Sequence, residues 1–274
     1  MLRKISFFVE AEVFGSTIKV SNDEVPTVVG RIIETPEDAD NLKVPSVHSG
    51  RTGLYIKSVE EAVKNIKDRP VFCGVIGPFS LAGRLMDMTE IMANCYDEPD
   101  MVKVTLEKCT EFSIAYINEY KKAGANGVVM AEPAAGLLSP GLAEEFSCDY
   151  VKRIADAVKA DDFLFVYHNC GPNVTFMTES FKKIGADIYH HGDASVMLDI
   201  IKKYPPDVIV GGNISPSNHF RNGTPEGIYK ATTDLLNECG GYKNFLISSG
   251  CDIPPMSKWE NIDSFFKAVK DYYK

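Results

Sequence analysis

Three residues that can bind a metal, His168, Cys170 and Cys251, directly follow strand-like segments of the sequence. One residue separates His168 from Cys170, so in a loop that leaves a strand both side chains can point to the same side. One imidazole and two thiolates form a soft ligand set that zinc prefers, and three protein ligands leave a fourth position open, as in catalytic zinc sites. The alternative at this point is a hydrogen-bonded core histidine and two cysteines that pack as small hydrophobic residues.

Other polar residues follow the same kind of segment and are candidates for the same site. Glu132 is a candidate for orienting a substrate, and a helix-capping or loop carboxylate is the alternative. His191 and Asp193 are candidates for catalysis, either by filling the fourth metal position or by hydrogen bonding to the ligands. The adjacent His190 is expected to be a solvated loop histidine.

Two further residues are candidates for cofactor binding. Gly77 lies in a tight turn into a helix, and Asn213 follows two glycines, so a turn-forming role explains Asn213 nearly as well. The remaining five cysteines are expected to be packing residues: Cys73, Cys95, Cys109, Cys148 and Cys239.

Short apolar segments, rich in β-branched and aromatic residues, must position these side chains. The predicted strands are residues 71–76, 127–131, 163–167, 187–189, 207–210 and 245–247. The predicted helices between and after them are residues 80–93, 100–123, 140–160, 178–184, 194–204, 225–238 and 258–273. This alternation indicates βαβ units and a parallel sheet, and without a nucleotide-type glycine-rich turn it favours a TIM-type (β/α)8 barrel. Functional groups of such a barrel lie at the C-terminal ends of its strands, where the candidates fall.

A closed eight-stranded barrel still needs two strands, and residues 5–20 are a candidate for one or both of them, although their two apolar runs fit a β-hairpin better. Residues 5–20 are predicted to form a β-hairpin, and residues 21–55 a loop or short irregular elements. We therefore expect one domain over residues 1–274, in which residues 1–55 are rich in hairpin and loop. We further expect a barrel that lacks or alters its first βα unit, with an edge that a second copy of the chain could cover.

Composition excludes several other classes of protein. A chain of 274 residues, 45% of them hydrophobic, can bury the core of one barrel. A net charge of −9 without a basic stripe argues against nucleic acid as a partner. No apolar stretch approaches the roughly 20 residues of a membrane span, and the first residues lack the features of a signal peptide. Seven cysteines without close pairing indicate a reducing cytoplasm.

Several segments also carry a resemblance to a known family. They are VFCGVIGPFSLAG (71–83), GANGVVMAEPAAGLLSP (124–140), YHNCG (167–171), GGNISP (211–216), NGTPEGI (222–228) and SSGCDIPPMSKWENI (248–262). In this order they resemble the uroporphyrinogen decarboxylase superfamily, and within it the methylcobamide:coenzyme M methyltransferases. The first two segments are shared by the superfamily, whereas His-x-Cys and Gly-Cys-x-Ile-Pro-Pro distinguish the methyltransferases and bind zinc there. The resemblance therefore implies that His168, Cys170 and Cys251 are zinc ligands.

The resemblance implies a zinc-dependent enzyme that moves a methyl group from a methyl-Co(III) corrinoid to a thiol such as coenzyme M. The corrinoid is expected on a separate carrier protein, because no corrinoid-binding domain is evident in the sequence. Two alternatives stay open. One is a decarboxylase acting on a polycarboxylated tetrapyrrole, although the N-terminal arginine motif of such enzymes is missing. The other is a shortened homologue that binds zinc without catalysis.

Overall fold

The computed structural model describes residues 8–20 and 26–274 and contains two sheets. The strands are β1 (Thr17–Lys19), β2 (Thr27–Val29), β3 (Phe72–Ile76), β4 (Gly127–Ala131), β5 (Leu164–Asn169), β6 (Ile188–His191), β7 (Ile209–Ile214) and β8 (Phe245–Ser249). β1 and β2 pair antiparallel. The six strands β3 to β8 are parallel and are hydrogen-bonded in chain order, so each βα unit places its strand beside the previous one.

The helices alternate with these strands. They are α1 (Val9–Val13), α2 (Pro36–Asn41), α3 (Thr52–Asn65), α4 (Pro78–Met86), α5 (Met88–Asp97), α6 (Pro99–Lys122), α7 (Pro140–Ala143), α8 (Asp149–Val158), α9 (Val174–Lys182), α10 (Met197–Ile201), α11 (Pro225–Cys239) and α12 (Trp259–Tyr272). Among the described residues, no helix combines the length and the hydropathy that crossing a bilayer requires.

The sheet has two different faces because successive side chains of a strand point to opposite sides. One face packs against the helices and forms the main core, while the other carries a small apolar cluster of Val129, Val166 and Ile188. Parallel strands in chain order, with a helix after each, are the architecture of a TIM-type barrel, and this prediction is confirmed. Within residues 8–20 and 26–274 no further strand joins β3 or β8, and the N-terminal part forms the separate β1–β2 sheet instead.

All six predicted parallel strands are present, and four of them continue further than expected. β5 extends through Asn169, β6 through His191 and β7 through Ile214, so polar residues expected in loops lie within strands. The ladder continues because backbone hydrogen bonds do not depend on the polarity of the side chain. His168 and His190 consequently become direct neighbours in the β5–β6 register.

Two predicted helices are interrupted. The helix expected over residues 80–93 is divided between α4 and α5 at Asp87, whose φ is 83° and whose carboxylate accepts from the Thr89 N–H at 2.8 Å. The helix expected over residues 140–160 contains a wider turn, Glu144–Cys148, between α7 and α8. Ser139 and Thr224 cap α7 and α11, because each hydroxyl accepts from the backbone N–H three residues further along the chain, and a proline follows each cap at the first helical position.

The hairpin predicted for residues 5–20 is wrong for its described part; residues 5–7 lie outside the described residues. Val9–Val13 is a helix, and β1 pairs with β2 rather than with the preceding segment. So short a segment cannot distinguish helical from strand periodicity, and its docking on α3 and α4 decides the outcome. Residues 21–55 were predicted to form a loop or short irregular elements; residues 21–25 lie outside the described residues, and the remainder contains β2, the helix α2 with a Thr35–Asp38 capping box, and the start of α3.

Helix α1 covers the outer edge of β3 through a buried carboxylate. Gly77 N–H donates to Ala131 on β4, so the preceding N–H, that of Ile76, points the opposite way and donates to Glu10 Oε1 at 3.1 Å. Glu10 is 3% exposed. Burial raises the pKa of Glu10 to about 7, although this hydrogen bond and nearby Arg84 act in the opposite direction.

The free energy of unfolding should therefore fall as pH rises from 4.5 to about 7. In this window the folded Glu10 holds a proton that the unfolded chain has released. The contribution of Glu10 to the free energy of unfolding is therefore highest below pH 4.5. The loss amounts to up to about 3 kcal/mol for this group. Glu10→Gln should reduce the slope measured by urea unfolding at several pH values, whereas Glu60→Gln on exposed α3 controls for removal of a charge. An unchanged slope in Glu10→Gln would contradict this account.

Candidate metal centre

His168, Cys170 and Cys251 lie together at the C-terminal ends of the parallel strands. His168 is the fifth residue of β5, Cys170 directly follows that strand, and Cys251 comes two residues after β8 ends. Their ligand atoms all lie within 4.8 Å of one another. We call these three residues the metal trio. The structure buries the other five cysteines, and all seven are free thiols.

The two nitrogens of His168 have different surroundings. Nδ1 lies 2.8 Å from Nδ1 of His190 and 3.2 Å from the His190 carbonyl oxygen. Nε2 is buried and has no hydrogen-bond partner among the described residues. A buried polar atom without a partner is costly unless a ligand or water satisfies it. Nε2 is therefore the atom of His168 that is available to a metal.

The two thiols of the metal trio interact directly. A hydrogen bond from Cys251 lowers the pKa of Cys170, and the same bond raises the pKa of Cys251 because its proton is held between the two sulfurs. Both cysteines are half-buried. The pair is suited to release its proton to solvent when a divalent cation replaces it.

Asn169, the residue between His168 and Cys170, shapes the turn that presents the thiol. It is fully buried, its Nδ2 donates to the Glu132 carbonyl at 2.6 Å, and its Oδ1 accepts from the Gly171 N–H at 2.8 Å. In the sequence Asn169 was only the residue between two candidate ligands. The signal in the sequence was a polar side chain at a position that becomes buried when the strand is longer than predicted.

Glu132 and Gly77 form one buried arrangement at the start of α4. The Glu132 carboxylate is 0% exposed and accepts from Phe79 N, Ser80 N and Ser80 Oγ at 3.1, 2.6 and 2.5 Å. Burial raises the pKa of Glu132 to about 7, and these donors oppose the shift. A Cβ at Gly77 would lie 1.9 Å from Glu132 Oε2. The contacts are those of the helix-capping alternative, while the catalytic and cofactor-binding roles of Glu132 and Gly77 stay predictions.

His191 and Asp193 occupy separate places near the metal trio. His191 follows His190 in β6 and so faces the opposite side of the sheet, where its Nε2 lies 3.1 Å from the Tyr204 hydroxyl. Burial, with a further contribution from His168, lowers the pKa of His191 to about 3. Asp193 is exposed at the rim, and its backbone packs against Gly250, one residue before Cys251. Their catalytic roles stay predictions.

Asn213 hydrogen-bonds to the loop that follows β6. Its Nδ2 donates to the carbonyl oxygens of Gly192 and Ser195 at 3.0 and 2.7 Å. Gly192 in turn lies against Cys170, because a Cβ at Gly192 would be 2.4 Å from the Cys170 Cβ. Asn213 thus supports the loop beside the metal trio, and its predicted cofactor-binding role stays a prediction.

His190 is not the solvated loop histidine that was expected. It lies within β6, beside His168 in register, and its Nε2 is 3.1 Å from Ser248 Oγ on β8. Burial and two neighbouring histidines, His168 and His191, lower the pKa of His190 well below its usual range. Two-residue alternation from His168, carried across the parallel register, would have predicted that His190 rather than His191 faces the metal trio.

A parallel barrel sheet with a histidine and two cysteines at its C-terminal rim defines a TIM-type barrel protein with a candidate metal centre. Residues 4–272 match the sequence profile described as uroporphyrinogen decarboxylase (URO-D), so the chain belongs to that family. The resemblance predicted from the motifs is confirmed.

The similar proteins carry the names of two different enzymes. Methylcobamide:CoM methyltransferase MtbA of Methanosarcina acetivorans is 29% identical over 270 residues, which cover 96% of this chain and 77% of that protein. Uroporphyrinogen decarboxylase of Coxiella burnetii is 27% identical over 265 residues, covering 90% of this chain and 72% of that protein. A solved structure described as a methyltransferase from Methanosarcina mazei has a TM-score of 0.87 at 24% identity, over 98% of this chain and 79% of that chain. This last likeness confirms the fold.

Proposed function

We propose that the chain is a zinc-dependent methyltransferase that moves a methyl group from a methyl-Co(III) corrinoid to a small thiol such as coenzyme M. The observation that carries the proposal is the metal trio, whose ligand atoms lie within 4.8 Å of one another. The name of the 29% identical relative, methylcobamide:CoM methyltransferase, supports this pair of substrates. The corrinoid would arrive as a substrate on a separate carrier protein, and a reducing cytoplasm would keep the thiols free.

The residues of the metal trio fit zinc. One histidine and two cysteines match the ligand types of catalytic zinc sites, and the buried, unpartnered Nε2 of His168 faces no competing hydrogen-bond partner among the described residues. Three protein ligands leave room for one more donor from a substrate. Zinc bound by these residues would supply a Lewis acid that lowers the pKa of a thiol.

The chain's own side chains set the charge and the position of this site. Deprotonated Cys170 and Cys251 bring two negative charges that offset the charge of a divalent cation, while His168 contributes a neutral ligand. A substrate thiol beside this set would keep enough electron density to act as a nucleophile. Because the metal trio lies at the strand C-termini, a methyl donor must approach from this rim, and holding the two substrates in line is a proximity effect.

The arginines of the chain do not favour the decarboxylase alternative. A substrate with several carboxylates needs arginines that converge on it. Four of the described arginines instead pair with carboxylates of the protein itself: Arg31, Arg51, Arg69 and Arg153. Arg84 is half-buried, and burial lowers its pKa against the opposing influence of Glu10.

Methyl transfer can be tested with free methylcobalamin as donor and coenzyme M as acceptor, followed by the absorbance change on demethylation. We expect turnover only when the protein contains zinc and the thiol is present. Zinc-loaded protein without turnover toward coenzyme M or other small thiols would contradict the proposal and favour the non-catalytic homologue. Decarboxylation of uroporphyrinogen by the same preparation would favour the decarboxylase.

A further inference from the structure

His190 links the two parts of the chain that carry the metal trio. Its Nδ1 lies 2.8 Å from His168 Nδ1 on β5, and its Nε2 lies 3.1 Å from Ser248 Oγ on β8. Ser248 precedes Cys251 by three residues on the strand that leads to this cysteine. One imidazole ring therefore contacts both the histidine ligand and the strand that positions the distant cysteine.

Strand β7 lies between His190 and Ser248, and its sequence leaves room for the ring. In the β6–β7 register His190 is paired with Gly211. A Cβ at Gly211 would lie 3.2 Å from His190 Cδ2, which is tighter than ordinary van der Waals contact. The glycine thus lets the imidazole pass over β7 and reach a side chain two strands away.

Proton counting assigns the tautomers of the two histidines. Two Nδ1 atoms at 2.8 Å need one proton between them. If His190 donated, neutral His168 would carry its own proton on Nε2, which a metal would have to displace, and Nδ1 could not donate to the His190 carbonyl oxygen 3.2 Å away. If His168 donates, its Nε2 keeps a lone pair for a metal, and His190 carries a proton on Nε2 that it donates to Ser248 Oγ.

We propose that His190 is a positioning residue that keeps the His168 proton on Nδ1, so that the Nε2 lone pair faces Cys170 and Cys251. Through Ser248 it also holds the end of β8 at a fixed distance from β5. The inference rests on the proposed function in one respect, that the metal trio binds zinc. The His190 carbonyl, 3.2 Å from His168 Nδ1, is the competing acceptor and remains in every variant of this residue.

The test measures zinc affinity by competition with a chromophoric chelator, and the spectrum of the Co²⁺-substituted protein. His190→Ala should weaken zinc binding by roughly 10- to 100-fold, as loss of an outer hydrogen-bond partner of a metal ligand does. It should also change the visible Co²⁺ bands, because His168 is free to reorient. Ser248→Ala should have a smaller effect, since it leaves the acceptor for His168 in place. His48→Ala, at an exposed histidine, is the control for adventitious zinc binding.

Two conservative variants separate positioning from packing. Asn places an oxygen near the position of Nδ1, whereas Gln reaches toward the position of Nε2, so His190→Asn should bind zinc more tightly than His190→Gln. Equal affinities for these two, or wild-type affinity and spectrum in His190→Ala, would overturn the inference while leaving the proposed function intact. Wild-type protein that binds no zinc would overturn both. If His190→Ala does not fold, the comparison of Asn with Gln decides.

Discussion

Replacing Cys251 by serine is expected to remove tightly bound zinc and, with it, methyl transfer to a thiol. A serine hydroxyl stays protonated at neutral pH and is a poor ligand for a soft site, so the variant retains only His168 and Cys170. The loss of affinity should exceed the roughly 100-fold effect of removing an outer hydrogen-bond partner. Zinc content after metal-free purification and loading with one equivalent, together with methylcobalamin demethylation, measures both consequences.

A second cysteine provides the control for this experiment. Cys239 is fully buried at the end of α11 and belongs to the hydrophobic core rather than to the metal trio. Cys239→Ser should lower the free energy of unfolding by burying a hydroxyl, yet the folded protein should bind zinc as tightly as wild type. Cys251→Ser protein that retains one tightly bound zinc would contradict the ligand assignment.

Gly77→Ala is expected to have the largest effect on stability. Gly77 has φ −72° and ψ 159°, a conformation that alanine adopts readily, so backbone strain plays no part. The new Cβ would lie 1.9 Å from Glu132 Oε2 and 2.5 Å from its Cδ. The carboxylate must then leave the N–H groups of Phe79 and Ser80 that it accepts from. We expect a loss of about 3 kcal/mol or more in the free energy of unfolding by urea, from overpacking and broken hydrogen bonds.

Gly141→Ala is the matched substitution for this prediction. A Cβ at Gly141 meets nothing within 4 Å, and the residue is exposed within α7. Alanine there should stabilise the protein by up to about 1 kcal/mol through a less flexible unfolded chain. The effect of Gly77→Ala should also be smaller in a Glu132→Ala background, because the clashing carboxylate is gone. Additive effects of the two substitutions would show that Glu132 is not the obstacle.

The order of strands was predictable because a parallel barrel repeats one local pattern. Each buried strand is a short apolar segment, and each helix after it is long enough for its period to be recognised, as in α6 and α11. The ends of strands were less predictable. β5 and β6 continue through His168 and His191 because the ladder of neighbouring strands, rather than side-chain polarity, determines where pairing stops.

The metal trio was predictable from residue type and position, but its supporting contacts were not. The sequence shows that His168, Cys170 and Cys251 follow strands, and parallel strands bring such residues to one rim. It does not show that Asn169 shapes the turn or that His190 crosses Gly211 to reach Ser248. Those contacts depend on the register between strands and on which side chains share a face.

The same reason explains the outcome for the other candidates. Glu132 follows a strand as a catalytic carboxylate would, yet its carboxylate oxygens accept hydrogen bonds from the N–H groups of the first residues of α4. The position of that helix depends on tertiary packing. Helix α1 forms because it docks on α3 and α4, where Glu10 reaches the edge of β3. The conformation and contacts of such segments depend on distant parts of the chain, so the sequence of a short segment does not predict them.

X-ray absorption at the zinc edge of protein loaded with one equivalent of zinc tests the central claim most directly. The metal trio predicts two sulfur neighbours and one imidazole nitrogen from the chain, with one sulfur fewer in any zinc retained by Cys251→Ser. A zinc environment of oxygen and nitrogen alone, or one that is identical in Cys251→Ser, would contradict the account.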